Sequence, residues 1–345
     1  MTNSHYTTIA AMSGGVDSSV AALLSGANAG VTLKLFDGES SCCSVDDVED
    51  ARAVCQRLEI PHYTLNYKDA FERLVIDRFV SAYERGETPN PCIECNRSIK
   101  FTSLFAETDA LGFETLVTGH YARIRKIGDA YYLMKGLDAG KDQSYVLYMI
   151  ARGLLPRIAL PLGELHKAEV RAIAGEHGFI NAHKRDSQDI CFIPDGDFSE
   201  FIKRRTGKNY PPCKLIDIAG NILGERDTSL RYTIGQRHGL GVSYSEPLYV
   251  KSKTDTTVTL AAEHELYGTA LLANNVNVLV PDKITGTVNL TAKTRYKRGE
   301  SACRAEFISD GVLRVDFTAP ERAITAGQAV VLYDGDTVVC GGTII

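Results

Sequence analysis

Short apolar runs in the first third of the chain alternate with segments in which apolar residues recur every three or four positions. The runs predict β-strands, and they cover residues 8–12, 31–36, 63–66 and 115–118. The recurring segments predict helices, and they cover residues 20–24, 48–58, 68–85 and 104–111. Strands that alternate with helices are typical of α/β proteins with a doubly wound parallel sheet, in which ligands bind at the carboxyl ends of the strands.

The pattern changes in the second half of the chain. Residues 142–183 have a mainly helical spacing, and residues 214–224 form a predicted hairpin around Gly220-Asn221. From about residue 270 to the end, apolar and polar positions alternate, and the hairpin turns are predicted at Asp310-Gly311 and Asp334-Gly335. A small antiparallel β-barrel is the natural closure for such a tail, because a closed barrel has no unpaired edge.

Composition is that of an ordinary globular protein and leaves room for roughly two or three domains. Apolar residues make up 44% of the 345 residues, charged residues make up 23%, and the net charge is −5. An acidic chain can still bind nucleic acid through local patches. Two basic clusters are present, within residues 203–208 and 295–298, although each alone is more typical of a solvated face. A polar start and the lack of an apolar run of about 18 residues favour a cytoplasmic protein without a membrane partner.

Residues 13–19, Ser-Gly-Gly-Val-Asp-Ser-Ser, follow the first predicted strand and open a helix. The glycines allow a tight turn with exposed backbone N–H groups, which form an anion cradle with the helix N-terminus and the serine hydroxyls. Asp17 fits such a site if Mg²⁺ binds there together with phosphates. A capped glycine-serine turn is the simpler alternative, but the full segment after a strand favours a phosphate site. The Gly-Lys-Ser/Thr ending of the P-loop is absent.

Nine cysteines in a chain expected to stay in a reducing compartment are not a disulfide framework. Cys92 and Cys95 form a Cys-x-x-Cys pair in the proline-rich segment 88–96, which we interpret as a rigid loop that aims a thiol. Half of a zinc site is the alternative, although no partner pair follows at zinc-finger spacing. Cys191 lies between two apolar residues and by itself is more typical of a buried core cysteine, and Cys42-Cys43 are interpreted as surface or core residues.

Segment 13–19 resembles the motif of the ATP pyrophosphatases, which cleave ATP to AMP and pyrophosphate. Together with the two cysteine segments, it resembles in order and spacing the tRNA-specific 2-thiouridylases, which thiolate the wobble uridine. The resemblance extends over nearly the whole chain. Its further motifs are Thr-Gly-His-Tyr-Ala-Arg at 118–123, Lys-Asp-Gln-Ser-Tyr at 141–145, Tyr-Thr-Ile-Gly-Gln-Arg-His-Gly-Leu-Gly at 232–241, Gly327-Gln328 and Gly341-Gly342.

The resemblance implies three domains and three groups of site residues. The domains are an adenine nucleotide α-hydrolase-like ATP-pyrophosphatase domain with a helical tRNA-contacting insertion over 1–207, a small central domain over 208–265 and a C-terminal β-barrel over 266–345. The residues that would bind ATP are Ala11, Met12, Ser13, Gly14, Gly15, Val16, Asp17, Ser18, Leu33 and Gly119. Those that would surround the target base are Asn90, Pro91 and Cys92. Those that would contact tRNA are His120, Lys141, Asp142, Gln143, Arg295, Tyr296 and Gln328.

The resemblance also assigns the sulfur chemistry to two residues, with Cys95 as the nucleophile and Cys191 as the persulfide carrier. Adenylation would convert a uridine oxygen into a good leaving group, and a Cys191 persulfide could then attack the activated carbon. Cys95 would release the sulfur by forming a disulfide with Cys191, so the two thiols must meet, and the base must leave its stack to reach them. The implied substrates and partners are ATP with Mg²⁺, tRNA, and a protein that donates persulfide or sulfide.

Cys92 departs from the pattern of the family, because many relatives carry an acidic residue at this position. Cys92, Cys95 and Cys191 together could hold a [4Fe–4S] cluster with one open iron, which would bind hydrosulfide and deliver it directly. We favour the persulfide route over this cluster route.

Two other functions are compatible with the sequence. The same fold could thiolate cytidine, whereas the related amide synthetases do not need a proline-framed Cys-x-x-Cys pair. A non-enzymatic alternative is an RNA-binding protein whose nucleotide site only regulates binding. The phosphate segment beside two cysteine segments argues against that alternative.

Overall fold

A computed structural model of the chain describes residues 7–36, 45–184 and 190–345. Cys42, Cys43 and the segment 185–189, which precedes Ile190-Cys191, lie outside the described residues. The described strands form three sheets, of which one has five strands, one has four and one has eight. The three sheets follow one another along the chain, apart from one hairpin of the first half that joins the last sheet.

The strands of the first half of the chain surround the predicted phosphate segment. They are β1 (Thr8–Ala11), β2 (Ala29–Lys34), β3 (His62–Asn66), β4 (Thr115–Val117), β5 (Ala122–Ile127), β6 (Ala130–Lys135) and β7 (Ile158–Ala159). Five of them form a parallel sheet in the order β3-β2-β1-β4-β7. The order reverses between β1 and β4, so a crevice forms where these two strands end. The predicted doubly wound parallel sheet is confirmed.

Helices pack on both faces of the parallel sheet. The helices are α1 (Val16–Leu24), α2 (Val45–Arg57), α3 (68–84), α4 (91–110), α5 (Ser144–Leu147), α6 (Lys167–Glu176) and α7 (Phe198–Thr206). One face is covered by α1, α2 and α6, whose Val20, Val54 and Val170 share a hydrophobic cluster. The other face is covered by α3 and α4, which bury Phe79 and Ile99. Within the described ranges, none of the helices is long and apolar enough to cross a membrane.

Both helices of the second face contain π-helical turns. In α3, Lys68–Phe71 and Asp77–Glu84 flank a π-helical turn at Glu72–Ile76. In α4, Pro91–Glu94 and Leu104–Ala110 flank a longer π-helical segment at Cys95–Ser103. π-Helical turns occur frequently at functional sites, and the longer one begins at the predicted nucleophile.

The middle of the chain folds into a four-stranded sheet with the order β10-β11-β8-β9. Its strands are β8 (Cys213–Ile216), β9 (Ile222–Arg226), β10 (Tyr249–Lys253) and β11 (Thr257–Ala261). The hairpin of β8 and β9 is the predicted one. Asp217 stabilises its turn by accepting hydrogen bonds from the backbone N–H groups of Ala219 and Asn221, both at 2.9 Å. Gly220 supplies the positive φ of 87° that this turn requires.

The last strands close into a barrel. They are β12 (Tyr267–Val278), β13 (Val288–Lys293), β14 (Ser301–Ser309), β15 (Val312–Arg322), β16 (Ala329–Asp334) and β17 (Thr337–Ile344). They pair in the order β12-β15-β14-β13-β16-β17, and β17 pairs again with β12, so the predicted antiparallel barrel is confirmed. Asp310-Gly311 connects β14 to β15 as predicted, whereas the last turn is formed by Gly335-Asp336, one residue later than predicted.

Two local predictions are wrong, and one hairpin was not predicted. Segment 88–96 is not a loop throughout, because α4 begins at Pro91, where proline fits the first helical position, and Asn90 caps it by accepting a hydrogen bond from the Cys92 N–H at 3.0 Å. Residues 142–183 are not mainly helical, since they contain β7 and short 3₁₀ turns at Arg152–Arg157 and Pro161–Glu164. The hairpin of β5 and β6 does not follow from the sequence pattern, and β6 pairs with β17, so the hairpin extends the sheet of the barrel.

Residues 145–150 attach the parallel-sheet domain to the barrel. Tyr145 is fully buried, and its hydroxyl donates a hydrogen bond to the carbonyl oxygen of Ala329 at 2.9 Å. From the barrel side, the Asn277 side-chain amide donates to the carbonyl oxygens of Tyr148 at 2.6 Å and Ile150 at 2.9 Å. Since buried hydrogen bonds have little freedom to rearrange, these contacts hold the two domains in a defined relative position.

We expect the Tyr145→Phe substitution to lower the free energy of unfolding by about 1 kcal/mol, because the buried Ala329 carbonyl would lose the hydroxyl donor. Urea denaturation followed by circular dichroism measures the change. The control is Tyr244→Phe, since Tyr244 is 47% exposed and its hydroxyl is in contact with water. Equal unfolding free energies for the two variants would contradict the role of Tyr145 as a domain contact.

Candidate functional site

The loop between β1 and α1 is shaped by two glycines and two serines. Gly14 has a φ of 72°, and a Cβ atom there would lie 2.2 Å from the carbonyl oxygen of Asp47 in α2, so no side chain fits. Gly15 occupies the N-cap position of α1. The Ser18 hydroxyl donates to the Gly15 carbonyl at 3.0 Å and accepts from the Ser13 N–H at 3.1 Å. These bonds fix the loop at the helix N-terminus, where backbone N–H groups attract an anion.

A cavity of about 500 Å³ lies where β1 and β4 end. The loop after β4 closes it, because Gly119 packs so tightly on α1 that a Cβ atom would lie 2.8 Å from the backbone of Asp17 and Ser18. All the predicted ATP-binding residues except Gly14 line the cavity, namely Ala11, Met12, Ser13, Gly15, Val16, Asp17, Ser18, Leu33 and Gly119. A flat apolar wall of Val31, Leu35 and Leu104 completes it and suits a nucleobase.

The Asp17 carboxylate is held by an ion pair. The Lys167 ammonium group of α6 lies 2.7 Å from Oδ1 and 2.8 Å from Oδ2, and the Tyr121 hydroxyl donates to Oδ1 at 2.7 Å. Within residues 7–36, 45–184 and 190–345, no group of three or more His, Cys, Asp or Glu side chains is placed to hold a metal ion. The contacts therefore do not fit a preformed Mg²⁺ site at Asp17.

Lysines outnumber carboxylates around the cavity, although the whole chain has a net charge of −5. The charged lining residues are Lys100, Lys141, Lys184 and Lys297 against Asp17 and Asp47. Lys184 pairs with Asp47 at 2.7 Å and with Asp50 at 2.6 Å, which ties α2 to the phosphate loop. No carboxylate of the described residues pairs with Lys100 or Lys297. Their charges therefore give the cavity a positive excess that suits a polyphosphate.

His120, a predicted tRNA contact, is a buried neutral group in the cavity wall. Burial lowers its pKa well below the ordinary value, and the nearby Lys100 charge lowers it further. The Thr118 hydroxyl lies 2.7 Å from Nδ1, and the ring packs against Phe101. A neutral imidazole can make hydrogen bonds but does not balance phosphate charge, so His120 adds no positive charge to the cavity.

Helix α4 connects the predicted nucleophile to the cavity. Cys95 begins the π-helical segment, in which the residue at position i bonds to position i+5, so Lys100 lies about one turn after Cys95 on the same side. In an α-helix with its 3.6 residues per turn, positions five apart would point to largely different sides. Lys100 lines the cavity. The π-helical register therefore places the Cys95 thiol and a cavity cation along one helix face.

Cys92 is exposed in the first turn of α4. Burial raises the pKa of Tyr296, and the nearby side chains of Asp142 and Cys92 raise it further, so Cys92 lies near a residue that lines the cavity. Tyr296 belongs to the barrel, so the predicted target-base residue Cys92 lies close to a barrel residue that was predicted to contact tRNA.

Cys191 is positioned by its aromatic neighbour. Phe192 packs edge-on against Phe71 at 5.8 Å and Phe79 at 5.4 Å, both on α3. Cys191 and Cys95 are both half-buried and pack against the same hydrophobic cluster, of which α3 is a part. Cys92, Cys95 and Cys191 do not form a metal-holding group among the residues with defined positions, so the arrangement does not fit a preformed [4Fe–4S] site.

Several predicted tRNA contacts make hydrogen bonds within the protein. Asp142 is buried and accepts from the N–H groups of Gly136 at 3.0 Å and Ser144 at 3.1 Å. The other internal bonds are from Gln328 to the Thr88 carbonyl, from the Tyr121 N–H to Gln143, and from Arg295 to Ile234, Ala323 and Thr325. Lys141, Gln143 and Tyr296 also line the cavity. Asp142, Arg295 and Gln328 thus hold the surrounding backbone in place in this structure.

Ion pairs balance three of the four basic residues at 203–208. Lys203 pairs with Asp227 at 2.9 Å and Lys208 pairs with Glu84 at 2.7 Å. Arg205 pairs with two carboxylates of α3. Arg204 is exposed. This agrees with the interpretation of the cluster as a solvated face, because most of its charges are balanced.

The sequence does not identify four residues that build the cavity, namely Lys100, Lys167, Lys184 and Asn181. Asn181 is buried, and its amide donates to the Gly14 carbonyl and the Ser19 hydroxyl, both at 3.0 Å. Lys167 contacts Asp17 across 150 residues of chain. Residue spacing does not reveal contacts between residues so far apart in the sequence. Lys100 could be identified as a cavity residue only if the π-helical register of α4 were known.

Family models match consecutive parts of the chain. They describe a tRNA methyl transferase HUP domain over residues 6–195, a tRNA methyl transferase PRC-barrel domain over 199–261 and an aminomethyltransferase beta-barrel domain over 268–344. Three similar proteins all carry the name tRNA-specific 2-thiouridylase MnmA. The chain is 42% identical to that of Geotalea uraniireducens, over 99% of this chain and 96% of that protein. It is 45% identical to that of Moorella thermoacetica (97% and 98%) and 43% identical to that of Carboxydothermus hydrogenoformans (97% and 96%).

We expect Gly14→Ala to weaken ATP binding by at least about tenfold, equivalent to about 1.4 kcal/mol. The added Cβ atom would displace either the phosphate loop or α2, since it would lie 2.2 Å from the Asp47 carbonyl. Calorimetric titration with ATP measures the affinity. Gly112→Ala is the matched control, because Gly112 also has a positive φ, of 82°, but open space around its Cα. Wild-type affinity in Gly14→Ala would show that the close approach is not required.

Proposed function

The chain belongs to the tRNA-specific 2-thiouridylase family, and from this we propose that it replaces the 2-oxygen of the wobble uridine of tRNA with sulfur in an ATP-dependent reaction. The observation that supports this proposal best is the connection of a lysine-rich cavity of nucleotide size to Cys95 along the single helix α4. The names of the similar proteins favour uridine over cytidine as the acceptor. They also favour an enzyme over a regulated RNA-binding protein.

The first step of the proposed reaction activates the base. ATP occupies the cavity with its phosphates on the loop 13–18, and Mg²⁺ enters with these phosphates. The uridine 2-oxygen attacks the α-phosphorus, a new P–O bond forms, and the bond to pyrophosphate breaks. Lys100 and Lys297 stabilise the negative charge that develops, because a preorganised cation in a cavity does not need to reorient. The neutral His120 in the cavity wall contributes a hydrogen bond.

The second step transfers sulfur. The terminal sulfur of a Cys191 persulfide attacks carbon 2 of the base, a C–S bond forms, and AMP leaves with the former base oxygen. The Cys95 thiolate then attacks the Cys191 sulfur, so the S–S bond to the transferred atom breaks and a Cys95–Cys191 disulfide forms. The electron pair stays on the transferred sulfur, which becomes the 2-thiocarbonyl of the product. An external dithiol reduces the disulfide, and a sulfur-donor protein reloads Cys191.

The two cysteines pack against one extended hydrophobic core, which contains α3 and reaches into the barrel. Cys95 is half-buried at the start of the π-helical segment. Asn90, Pro91 and Cys92 precede Cys95 directly, so a base that reaches this turn lies next to the thiol. Tyr296 near Cys92 offers an aromatic ring on the cavity side, and aromatic rings are common stacking partners of flipped bases.

We expect the purified protein to form 2-thiouridine in unmodified tRNA when it is supplied with ATP, Mg²⁺ and a sulfur source under anaerobic conditions. Digestion of the tRNA and mass spectrometry of its nucleosides identify the product. Cys95→Ala and Cys191→Ala should abolish the product, because each removes one thiol of the transfer. Cys303→Ala, in the barrel interior, is the control and should retain it.

The same assay distinguishes the alternatives. If only 2-thiocytidine appears, the fold is assigned correctly but the acceptor is wrong. If no thiolated base forms with any sulfur source, the proposed function fails. Full activity of Cys191→Ala would exclude Cys191 as the persulfide carrier.

We expect Lys100→Met to reduce tRNA-dependent formation of AMP by a factor of about 10² to 10³, the usual effect of removing one electrostatic stabiliser of a transition state. Its ATP affinity should fall much less, because the phosphate loop remains. Single-turnover release of AMP from labelled ATP measures the rate. Lys126→Met, on exposed β5, is the control, and wild-type AMP formation in Lys100→Met would refute the role of Lys100.

A further inference from the structure

A second cavity separates α3 and α4 from the barrel. Its volume is about 390 Å³, and the residues that line it include Arg73, Arg78, Arg85 and Arg97 on the helical side and Asn275 and Thr343 on the barrel side. We propose that this arginine cleft binds a backbone phosphate of the tRNA next to the target nucleotide. The proposal rests on the proposed function, because that function makes a tRNA strand the ligand of this face.

The arginine cleft leads directly to the predicted base site. A smaller cavity of about 140 Å³ is lined by Asn90 and Pro91 and shares Arg78, Glu94 and Thr343 with the arginine cleft. An RNA strand whose base enters at the turn of Asn90 and Pro91 would therefore have a neighbouring phosphate in the arginine cleft. Phosphate contacts fix the register of a nucleic acid on a protein without reading its sequence.

The charges of the arginine cleft are only partly balanced. The single carboxylate of Glu94 accepts from Arg78 at 2.7 Å and from Arg97 at 2.5 Å, so one negative charge serves two guanidinium groups. Arg73 is exposed, and no carboxylate of the described residues pairs with it. Exposed ion pairs contribute little stability, and a guanidinium group has five N–H donors. A phosphate can therefore bind without breaking the existing pairs.

Two further carboxylates stand near the cleft, and both already have arginine partners. Asp77 accepts from Arg205 at 3.0 Å, and Glu87 accepts from Arg85 at 2.8 Å. Glu87 is compensated by Arg85, whereas Asp77 shares Arg205 with Glu72 and keeps part of its negative charge. The lining still carries four arginines against the two carboxylates of Asp77 and Glu94, so positive charge is in excess. The cleft thus keeps an attraction for an anion on a chain whose net charge is −5.

The barrel wall of the arginine cleft is polar and locally strained. Asn275 has a φ of 49°, a left-handed conformation that non-glycine residues rarely adopt and that asparagine tolerates best. It lies in a bulge where the register of β12 shifts between Asn274 and Asn277. Bulges redirect side chains, and here the side chain that lines the cleft is a neutral amide. An amide beside guanidinium groups suits the sugar-phosphate backbone of RNA, because it can donate hydrogen bonds without adding charge.

The position of the arginine cleft favours RNA over a protein partner. An acidic segment of the sulfur donor would use the same charges, but its target Cys191 lines neither of the two cavities. The planar fork of arginine binds phosphate in a bidentate manner. One RNA strand can occupy both cavities in sequence, with the base in one and its phosphate in the other.

The test compares Arg73→Gln and Arg73→Glu with the control Arg314→Gln, since Arg314 is an exposed arginine on β15 of the barrel that pairs with Asp316. Fluorescence anisotropy measures binding of unmodified tRNA without ATP, from about 50 to about 200 mM salt. We expect Arg73→Gln to bind tRNA about fivefold more weakly than the wild type. The plot of log association constant against log salt concentration should become less steep by about 0.9, which corresponds to one lost phosphate contact. Arg73→Glu should be weaker still, and the control should keep the wild-type slope.

Unchanged affinity and slope in both Arg73 variants would overturn the proposal. So would unchanged tRNA binding combined with slower sulfur transfer from a donor protein, because the cleft would then serve that protein. Melting temperatures equal to the wild type show that the exposed substitutions leave the fold intact. Binding is measured without turnover, so a wild-type protein that forms no 2-thiouridine would refute the proposed function, while a loss of slope in the Arg73 variants would still support the phosphate site.

Discussion

The site depends on backbone segments that approach each other with no side chain between them. The Gly14 backbone lies against Asp47 of α2, and the Gly119 backbone lies against Asp17 and Ser18, at distances that exclude a Cβ atom. A parallel sheet whose order reverses at β1 creates a crevice there, but only glycine at these two positions lets the loops and helices close around it. This packing brings the loop 13–18, α2 and the loop after β4 together around the cavity.

Ion pairs separate the lysines in and around the cavity into two groups. Lys167, behind Asp17, and Lys184, which pairs with Asp47 and Asp50, bind α6 and α2 to the loop 13–18. Lys100 and Lys297 line the cavity without a carboxylate partner in the described parts of the chain, so their charges remain unbalanced there. A protein with a net negative charge can thus present a positive site, because charge acts locally when surrounding groups compensate one another.

The barrel also holds the start of α4 in place. The Gln328 amide donates to the Thr88 carbonyl at 2.6 Å, and the Thr88 N–H donates to the Ala326 carbonyl at 3.0 Å, so the barrel holds the residues just before Asn90 and Pro91. The π-helical segment then leads from Cys95 to Lys100 at the cavity. Thiol, base turn and nucleotide cavity are therefore positioned by contacts between domains, and the arginine cleft lies along the same boundary.

The sequence by itself determined the elements that depend on neighbouring residues. Short apolar runs predicted four of the five strands of the parallel sheet, and alternating positions predicted the strand-rich barrel. Gly220-Asn221 predicted a hairpin, and the glycine-serine segment 13–19 predicted a tight loop at a helix N-terminus, because period and turn chemistry are local properties of the chain. Only the tertiary structure decided that Lys167 is the partner of Asp17 and that the β5–β6 hairpin pairs with the barrel. It also decided that the Cys-x-x-Cys segment begins a helix and that this helix continues in a π-helical register, which aligns Lys100 with Cys95. Some of these features join residues that are far apart in sequence, and others depend on whether a helix adopts the α-helical or the π-helical register. Packing between distant parts of the chain decides both, so they are fixed only in the folded molecule.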